Sequence, residues 1–348
     1  MNLKSQLQMW VNNMFLEAAI NFTNIRNYQN IYDDVYIDTK TAAVLDNNLK
    51  PIYETLYEVI FWWKGTLHGK TLVDPDLRRI EVQRRYQEIL SETTTITQDD
   101  IANAKVLGPD VETIYAMSPH GWYPYGHLHD SLMRLFAWKN FDFKNPKVLC
   151  SKYHRVVDFP LHLQACGFKE DAIFRTAPKY RLIKVDKLFF GVNEAKFWTM
   201  LSQEQYDWII SGYFGLFRND PRNEPPIEGL YLSRNHIGRR GVTNNDEVQN
   251  YLSQEHNFRI LSGDESLLEI ISLFSRAKRI VGPHGSIFVN TIFCREDTQI
   301  IEFCPENRKD VSFKNKTKLA KNYNHILKKS DSDFNIEIDI QELKELLN

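Results

Sequence analysis

Cysteine is scarce: the 348 residues contain four, Cys150, Cys166, Cys294 and Cys304, and no two have a Cys-x-x-Cys spacing. That excludes a disulfide-stapled scaffold and a thiolate zinc ribbon, and it predicts reduced, buried thiols in a cytosolic protein. An excess of positive charge is also missing, since 43 Lys and Arg stand against 45 Asp and Glu for a net charge of -2. Nucleic acid is therefore excluded as the main partner. No apolar run approaches the length that spans a bilayer, and Asn12, Asn13 and Glu17 interrupt any secretory signal at the start. The Asn-x-Thr sequons at Asn21 and Asn315 accordingly read as chance matches. A Gly-x-Gly-x-x-Gly fingerprint is absent too. What is there, 43% hydrophobic and 25% charged residues, is the composition of an ordinary globular protein long enough for two domains.

The most informative stretch is Arg279-Ile280-Val281-Gly282-Pro283-His284-Gly285-Ser286-Ile287-Phe288-Val289-Asn290. An apolar pair, then Gly-Pro-His-Gly-Ser, then a second apolar run predicts a buried strand, a tight loop and a helix. Such a junction points unpaired backbone N–H groups outward beside the positive end of a helix, which suits a phosphate. In this reading Gly282 and Gly285 leave room for a close ligand, Pro283 fixes the turn and His284 donates to an anion. The same turn could equally close any strand in an αβ protein.

Along the chain, Leu3, Leu7, Trp10, Met14, Ala18 and Phe22 recur at spacings of three and four, predicting an amphipathic helix that packs on its own domain or pairs with a second copy. Asp34–Asp38 and Ala42–Leu45 are predicted as antiparallel strands near a sheet edge with Asp-Asn-Asn as the turn, and Leu77–Leu90 as a solvent-facing helix. Thr113–Met117, Lys147–Cys150, Asp171–Phe174 and Lys187–Phe190 are strand candidates, with Phe159–Cys166 a helix between two of them. An aromatic loop, Ser118–Gly126, leads into a helix opened by His127-Leu128-His129-Asp130; its Trp122, Tyr123 and Tyr125 could stack on a sugar. Glu194–Ile210 reads as a long helix. From Leu230 to Phe303 the order is βαβαβαβ, with helices at Asp246–Glu255 and Leu267–Ala277, which is a nucleotide-binding half of the doubly wound kind. Ile340–Leu347 is predicted as a closing helix that packs back across a domain boundary.

Three groups of residues carry candidate chemistry. Ser233-Arg234 followed by Arg239-Arg240 places a hydroxyl and guanidinium forks at a strand end, a set suited to a diphosphate, or else to a plain basic loop. Glu302, inside apolar Ile300-Ile301-Glu302-Phe303, needs a partner when buried: a ribose diol or a local Arg or Lys. His127, His129 and Asp130 offer a general base; with His154 the histidines could instead hold zinc for hydrolysis, and Asp130 could simply cap a helix.

Together these pieces resemble glycosyltransferase family 61, which includes plant xylosyltransferases and animal O-linked N-acetylglucosaminyltransferases. The family pattern His-Gly-(Ala/Ser)-x-x-x-Asn followed by Val-Ile-Glu is matched by His284-Gly285-Ser286 through Asn290 and by Ile300-Ile301-Glu302. A Ser-Arg strand end, an Arg pair and an acidic helix start are matched by Ser233-Arg234, Arg239-Arg240 and Asn244-Asn245-Asp246-Glu247. The pattern His-x-x-x-Asp-x-Leu-x-Arg-Leu is matched by Asp130-Ser131-Leu132-Met133-Arg134-Leu135, with His127 one residue closer than usual. The resemblance runs from about Lys105 to Phe303; the first 100 residues match nothing in it.

It implies an α/β protein of the GT-B kind, two Rossmann-like domains facing a central cleft, expected at residues 1–192 on the acceptor side and 193–330 on the nucleotide-sugar side, with 331–348 packing back. It also implies inverting transfer of a xylose- or N-acetylglucosamine-type sugar from a UDP-sugar to a glycan or glycoconjugate hydroxyl, with no obligatory metal or other cofactor. Ser233, Arg234, Arg239, Arg240, His284, Gly285, Ser286, Asn290 and Glu302 would hold the donor, and one of Asp130, His127 and His129 would be the base. The Golgi anchor of most eukaryotic members is not seen, so a bacterial or viral cytoplasmic relative is expected. Two alternatives are a zinc hydrolase on His127, His129 and His154, and a catalytically silent glycan-binding protein; homo-oligomers through the first helix fit any of the three.

Overall fold

Alternating and continuous apolar runs build two separate sheets in a mixed α/β structure. The structure is a computed structural model that describes residues 29–52, 55, 86–117, 128–151, 156–176, 180–191, 201–234, 240–307, 313 and 322–348, with backbone only for 29 and 129–131. The expected N-terminal helix, most of the charged helix at 77–90, the aromatic loop, His127, His154 and Arg239 lie outside those residues. The chain divides into two compact units, one formed by 1–123, 131–154 and 171–194, the other by 124–130, 155–170 and 195–348.

The first unit holds a seven-stranded sheet of β1 (Gln29–Asp38), β2 (Ala43–Leu45), β3 (Lys105–Leu107), β4 (Glu112–Tyr115), β5 (Pro146–Cys150), β6 (Ile173–Arg175) and β7 (Leu182–Gly191). Its order is β2-β1-β7-β4-β5-β6, and β3 pairs with the early half of β7. β1 and β2 pair antiparallel at the edge, as their sequence predicts, but the turn between them is Thr39–Ala42 and not the Asp-Asn-Asn stretch, which follows β2. The reason is local. Fully buried Asp38 takes the Lys40 N–H at 3.0 Å and the Thr41 hydroxyl at 2.6 Å, and pairs with Arg181 Nε at 2.7 Å. β7 is long because Leu182, Ile183, Val185, Leu188, Phe189 and Phe190 are all buried, two of its three polar side chains being half-buried between them.

The second unit holds β8 (Gly229–Leu232), β9 (Phe258–Leu261), β10 (Arg279–Pro283), β11 (Gln299–Pro305) and β12 (Tyr323–Lys328), all parallel, in the order β12-β11-β10-β8-β9. Helix Asn245–His256 joins β8 to β9 and helix Leu267–Arg276 joins β9 to β10, within a residue of their predicted limits. One face of the sheet packs Tyr231, Val281, Ile301 and Phe303 against Val248, Leu252, Leu343 and Leu347, so helix Ile340–Leu347 closes this unit's own core. β12 has no counterpart in the sequence reading; its Tyr-Asn-His-Ile-Leu-Lys alternates too weakly to announce an edge strand. Helix Gln203–Phe214 carries the later part of the predicted Glu194–Ile210 helix, residues 194–200 lying outside the described residues, and a capping box between Ser202 and Gln205 sets its first turn.

β8 and β10 approach so closely that a Cβ on Gly282 would lie 2.8 Å from Leu232 Cβ and 3.0 Å from Leu232 O. The glycine is therefore kept for strand packing, and what it makes room for is Leu232. Neither neighbouring atom can swing away, so Gly282→Ala is expected to cost about 2 kcal/mol by overpacking, read as a lower urea midpoint with an unchanged slope.

Candidate functional site

In sequence order the second sheet runs 2-1-3-4-5, which reverses between its first and third strands, β8 and β10. In open parallel sheets, ligands settle in the crevice beyond the carboxyl ends of the strands at such a reversal. The residues that leave those two strands are Ser233-Arg234 and His284-Gly285-Ser286. Two segments 50 residues apart, each singled out by composition, are thus brought to one edge by topology.

Their contact is direct. A Cβ on Gly285 would overlap the Arg234 guanidinium, so that guanidinium stands against Gly285 where a side chain would otherwise be. Gly285 has an extended φ of -175°, a conformation open to any residue. Its glycine is thus a matter of space, required by Arg234. Arg234 is only 5% exposed, so its guanidinium is held away from water at the strand end. The Ser233 hydroxyl oxygen accepts from Gln249 Nε2 at 3.2 Å, which turns its own proton outward from helix Asn245–His256.

The turn after β10 is a 3-10 helix, Ser286–Phe293, where an α-helix was expected. Asn290 Nδ2 donates to Ile287 O at 2.9 Å and Thr291 Oγ1 to Phe288 O at 2.8 Å, both three residues back, which competes with the α ladder and favours the tighter turn. Asn290 is buried by this role. Ser286 and Arg240 stay half-exposed. Arg240 has a left-handed φ of 57°.

Beneath the loop lies a buried polar cluster that period-two alternation explains. Gly282 faces Glu302 across β10 and β11, and Glu302 faces His325 across β11 and β12; residues two apart share a face, so His284, Glu302, Tyr323 and His325 meet on one side of the sheet. Glu302 accepts from His284 Nδ1 at 2.7 Å and from the Tyr323 hydroxyl at 2.9 Å, and His325 Nε2 stands 3.8 Å from it. The carboxylate is fully buried and His284 is 2% exposed. Among the described residues Glu302 therefore meets two histidines and a tyrosine in place of the Lys or Arg its sequence suggested. Because it sits on an interior strand between β10 and β12, its partners come from those strands. A carboxylate only accepts, so His284 carries its proton on Nδ1 and its ring is fixed. Burial and the Glu302 charge push the Tyr323 hydroxyl well above its usual range, keeping it a donor. Phe313 packs 5.4 Å from the His284 ring and Phe288 stacks on Phe313, closing the cluster. The His284 backbone N–H is spent on Phe303 O at 2.8 Å.

Of the other candidates, His129 and Asp130 lie in the first turn of helix Leu128–Phe136, their side chains outside the described residues. Among the described residues no group of three or more His, Cys, Asp or Glu could hold a metal, and no helix is long and apolar enough to cross a membrane. All four cysteines are buried thiols outside any disulfide, as expected. Tyr323 and His325 were missed in the sequence; only their spacing of two, opposite Ile300 and Glu302, could have revealed them. A glycosyltransferase 61 family model matches residues 125–301, half of the chain, which takes in Arg234, Arg240 and the His284 loop. No curated protein matches the chain.

Proposed function

The chain belongs to glycosyltransferase family 61 and so is a glycosyltransferase with a donor and an acceptor, and we propose that its donor is a UDP-sugar of xylose or N-acetylglucosamine type, transferred with inversion to a glycan hydroxyl on a GT-B arrangement. The acceptor oxygen attacks the anomeric carbon as the bond to the diphosphate oxygen breaks. The acceptor proton passes to a base at the start of helix Leu128–Phe136, for which Asp130 is preferred over His127 and His129. UDP leaves with the bonding pair, and negative charge grows on its diphosphate.

Stabilising that charge is the larger part of the task. Ser233, Arg234, Arg240 and the amides at Gly285 and Ser286 are assigned to it, so no metal is obligatory. Glu302 and Asn290 act from below, the first by fixing His284 and the second by shaping the loop. The observation that carries the reading is the Arg234 guanidinium lying on Gly285 at the point where the strand order reverses.

Isothermal titration of the full chain with UDP and GDP, and transfer assays with UDP-xylose and UDP-N-acetylglucosamine, test it. UDP should bind more tightly than GDP. Arg240→Ala should weaken UDP about tenfold, as expected for one lost charge-assisted contact at a half-exposed site. An unchanged UDP affinity in that variant sinks the assignment of Arg240.

A further inference from the structure

The left-handed backbone at Arg240 needs a cause. An L residue with a side chain occupies this region only when its surroundings impose it. Here they are imposed from 90 residues further on, by the segment Asp331–Ile338, which lies beyond the stretch matched by the family. Arg240 N–H donates to Asp333 O at 3.1 Å, and Gly241 N–H donates to Asn335 Oδ1 at 2.9 Å. Gly241 O then accepts from Ile336 N–H at 3.1 Å, and Thr243 N–H donates to Ile336 O at 2.8 Å, forming a short parallel bridge. Asn244 finishes it, with Nδ2 on Ile338 O at 2.8 Å and Oδ1 taking Ile338 N–H at 3.1 Å.

Asn335 is itself held rigidly. Its N–H and Nδ2 donate to the two carboxylate oxygens of Asp331 at 2.8 and 2.9 Å, and its carbonyl takes the Asp331 N–H at 3.1 Å. Those bonds hold the Asp331 carboxyl below its usual range. With Nδ2 committed to Asp331, the amide oxygen can only face Gly241. This is a half-exposed surface loop with a fixed acceptor aimed at the backbone next to the bent arginine.

We infer that Asn335 is a positioning residue for donor binding: through Gly241 it keeps Arg240 in its left-handed bend, and the bend sets the direction in which the guanidinium leaves the chain. The inference rests on the reading above that Arg240 meets the donor diphosphate. Were the clamp lost, Arg240 would relax to an ordinary φ, its Cα–Cβ bond would turn, and a side chain as long as arginine would carry its charge several ångströms away.

A mutant cycle with UDP as the probe, measured by isothermal titration on the full chain, decides it. Asn335→Ala alone should weaken UDP about threefold to tenfold, while Asn335→Ala added to Arg240→Ala should weaken it no further, since the placement of a missing guanidinium is immaterial. Asp331→Asn, which loosens the grip on Asn335 from a fully exposed position, should show the same non-additive pattern with a smaller step, and serves should Asn335→Ala fold poorly. Equal penalties in both backgrounds, or no effect of Asn335→Ala on UDP, overturn the inference and leave the diphosphate role of Arg240 standing. An Arg240→Ala variant that binds UDP like the parent removes that role, and this inference with it.

Discussion

Glu302→Ala is expected to lower the stability of the second unit by about 3–5 kcal/mol, enough to leave much of the protein unfolded or insoluble. The carboxylate is fully buried and holds two donors, His284 Nδ1 and the Tyr323 hydroxyl. Truncation orphans both, each at a cost of about 1–3 kcal/mol, and opens a cavity between β10 and β12. Glu302→Gln separates the two roles of this side chain. The amide has the same shape, its oxygen can still accept from His284, and its NH2 can meet a tyrosine hydroxyl that is able to accept. Its thermal midpoint should therefore stay near the parent's, but the negative charge beneath the His284 ring is gone. The expected result is a well-folded Gln variant with transfer reduced about tenfold beside an Ala variant that melts early. Two variants with equal melting temperatures would show that the cluster does not hold the sheet.

The elements that were legible in the sequence are those with strong local patterns. Helix Ile340–Leu347 is placed to the residue because its spaced apolar stripe leaves no choice. The site was half legible. Ser233-Arg234 and His284-Gly285-Ser286 stood out by composition, but their meeting depends on strand order, which no single stretch encodes. The partners of Glu302 depend on the register of three parallel strands, one of which, β12, carries an ambiguous pattern. The roles of the glycines are hidden from local sequence for a related reason. Composition suggests that Gly282 and Gly285 make room for a ligand, whereas they make room for Leu232 and Arg234, contacts that exist only once β8 and β10 lie side by side. The bend at Arg240 is further still from local sequence, since its cause lies 90 residues on. What the sequence could not show is in each case a long-range neighbour.

Arg234→Ala should weaken UDP by about 3 kcal/mol, a loss on the order of a hundredfold, with a smaller change in melting temperature. The guanidinium is 5% exposed and lies on the loop that follows β10, so it is largely desolvated before any ligand arrives and costs little further to bring against a diphosphate. Arg234→Lys should recover only part of the loss, since an ammonium on a flexible stem cannot present two parallel donors. Gly285→Ala makes the same point without touching the arginine. The backbone there suits alanine, so folding is unaffected by conformation; the new methyl group occupies the place of the guanidinium, the far end of a flexible side chain that can move aside. A folded protein with weakened UDP binding is expected, and Gly285→Ala added to Arg234→Ala should cost little more than Arg234→Ala alone. A Gly285→Ala variant that bound UDP like the parent would mean that the seat of Arg234 on the loop does not matter to the donor. The contrast with Gly282→Ala, which meets a backbone oxygen and must push two strands apart, then separates a glycine kept for the site from one kept for the sheet.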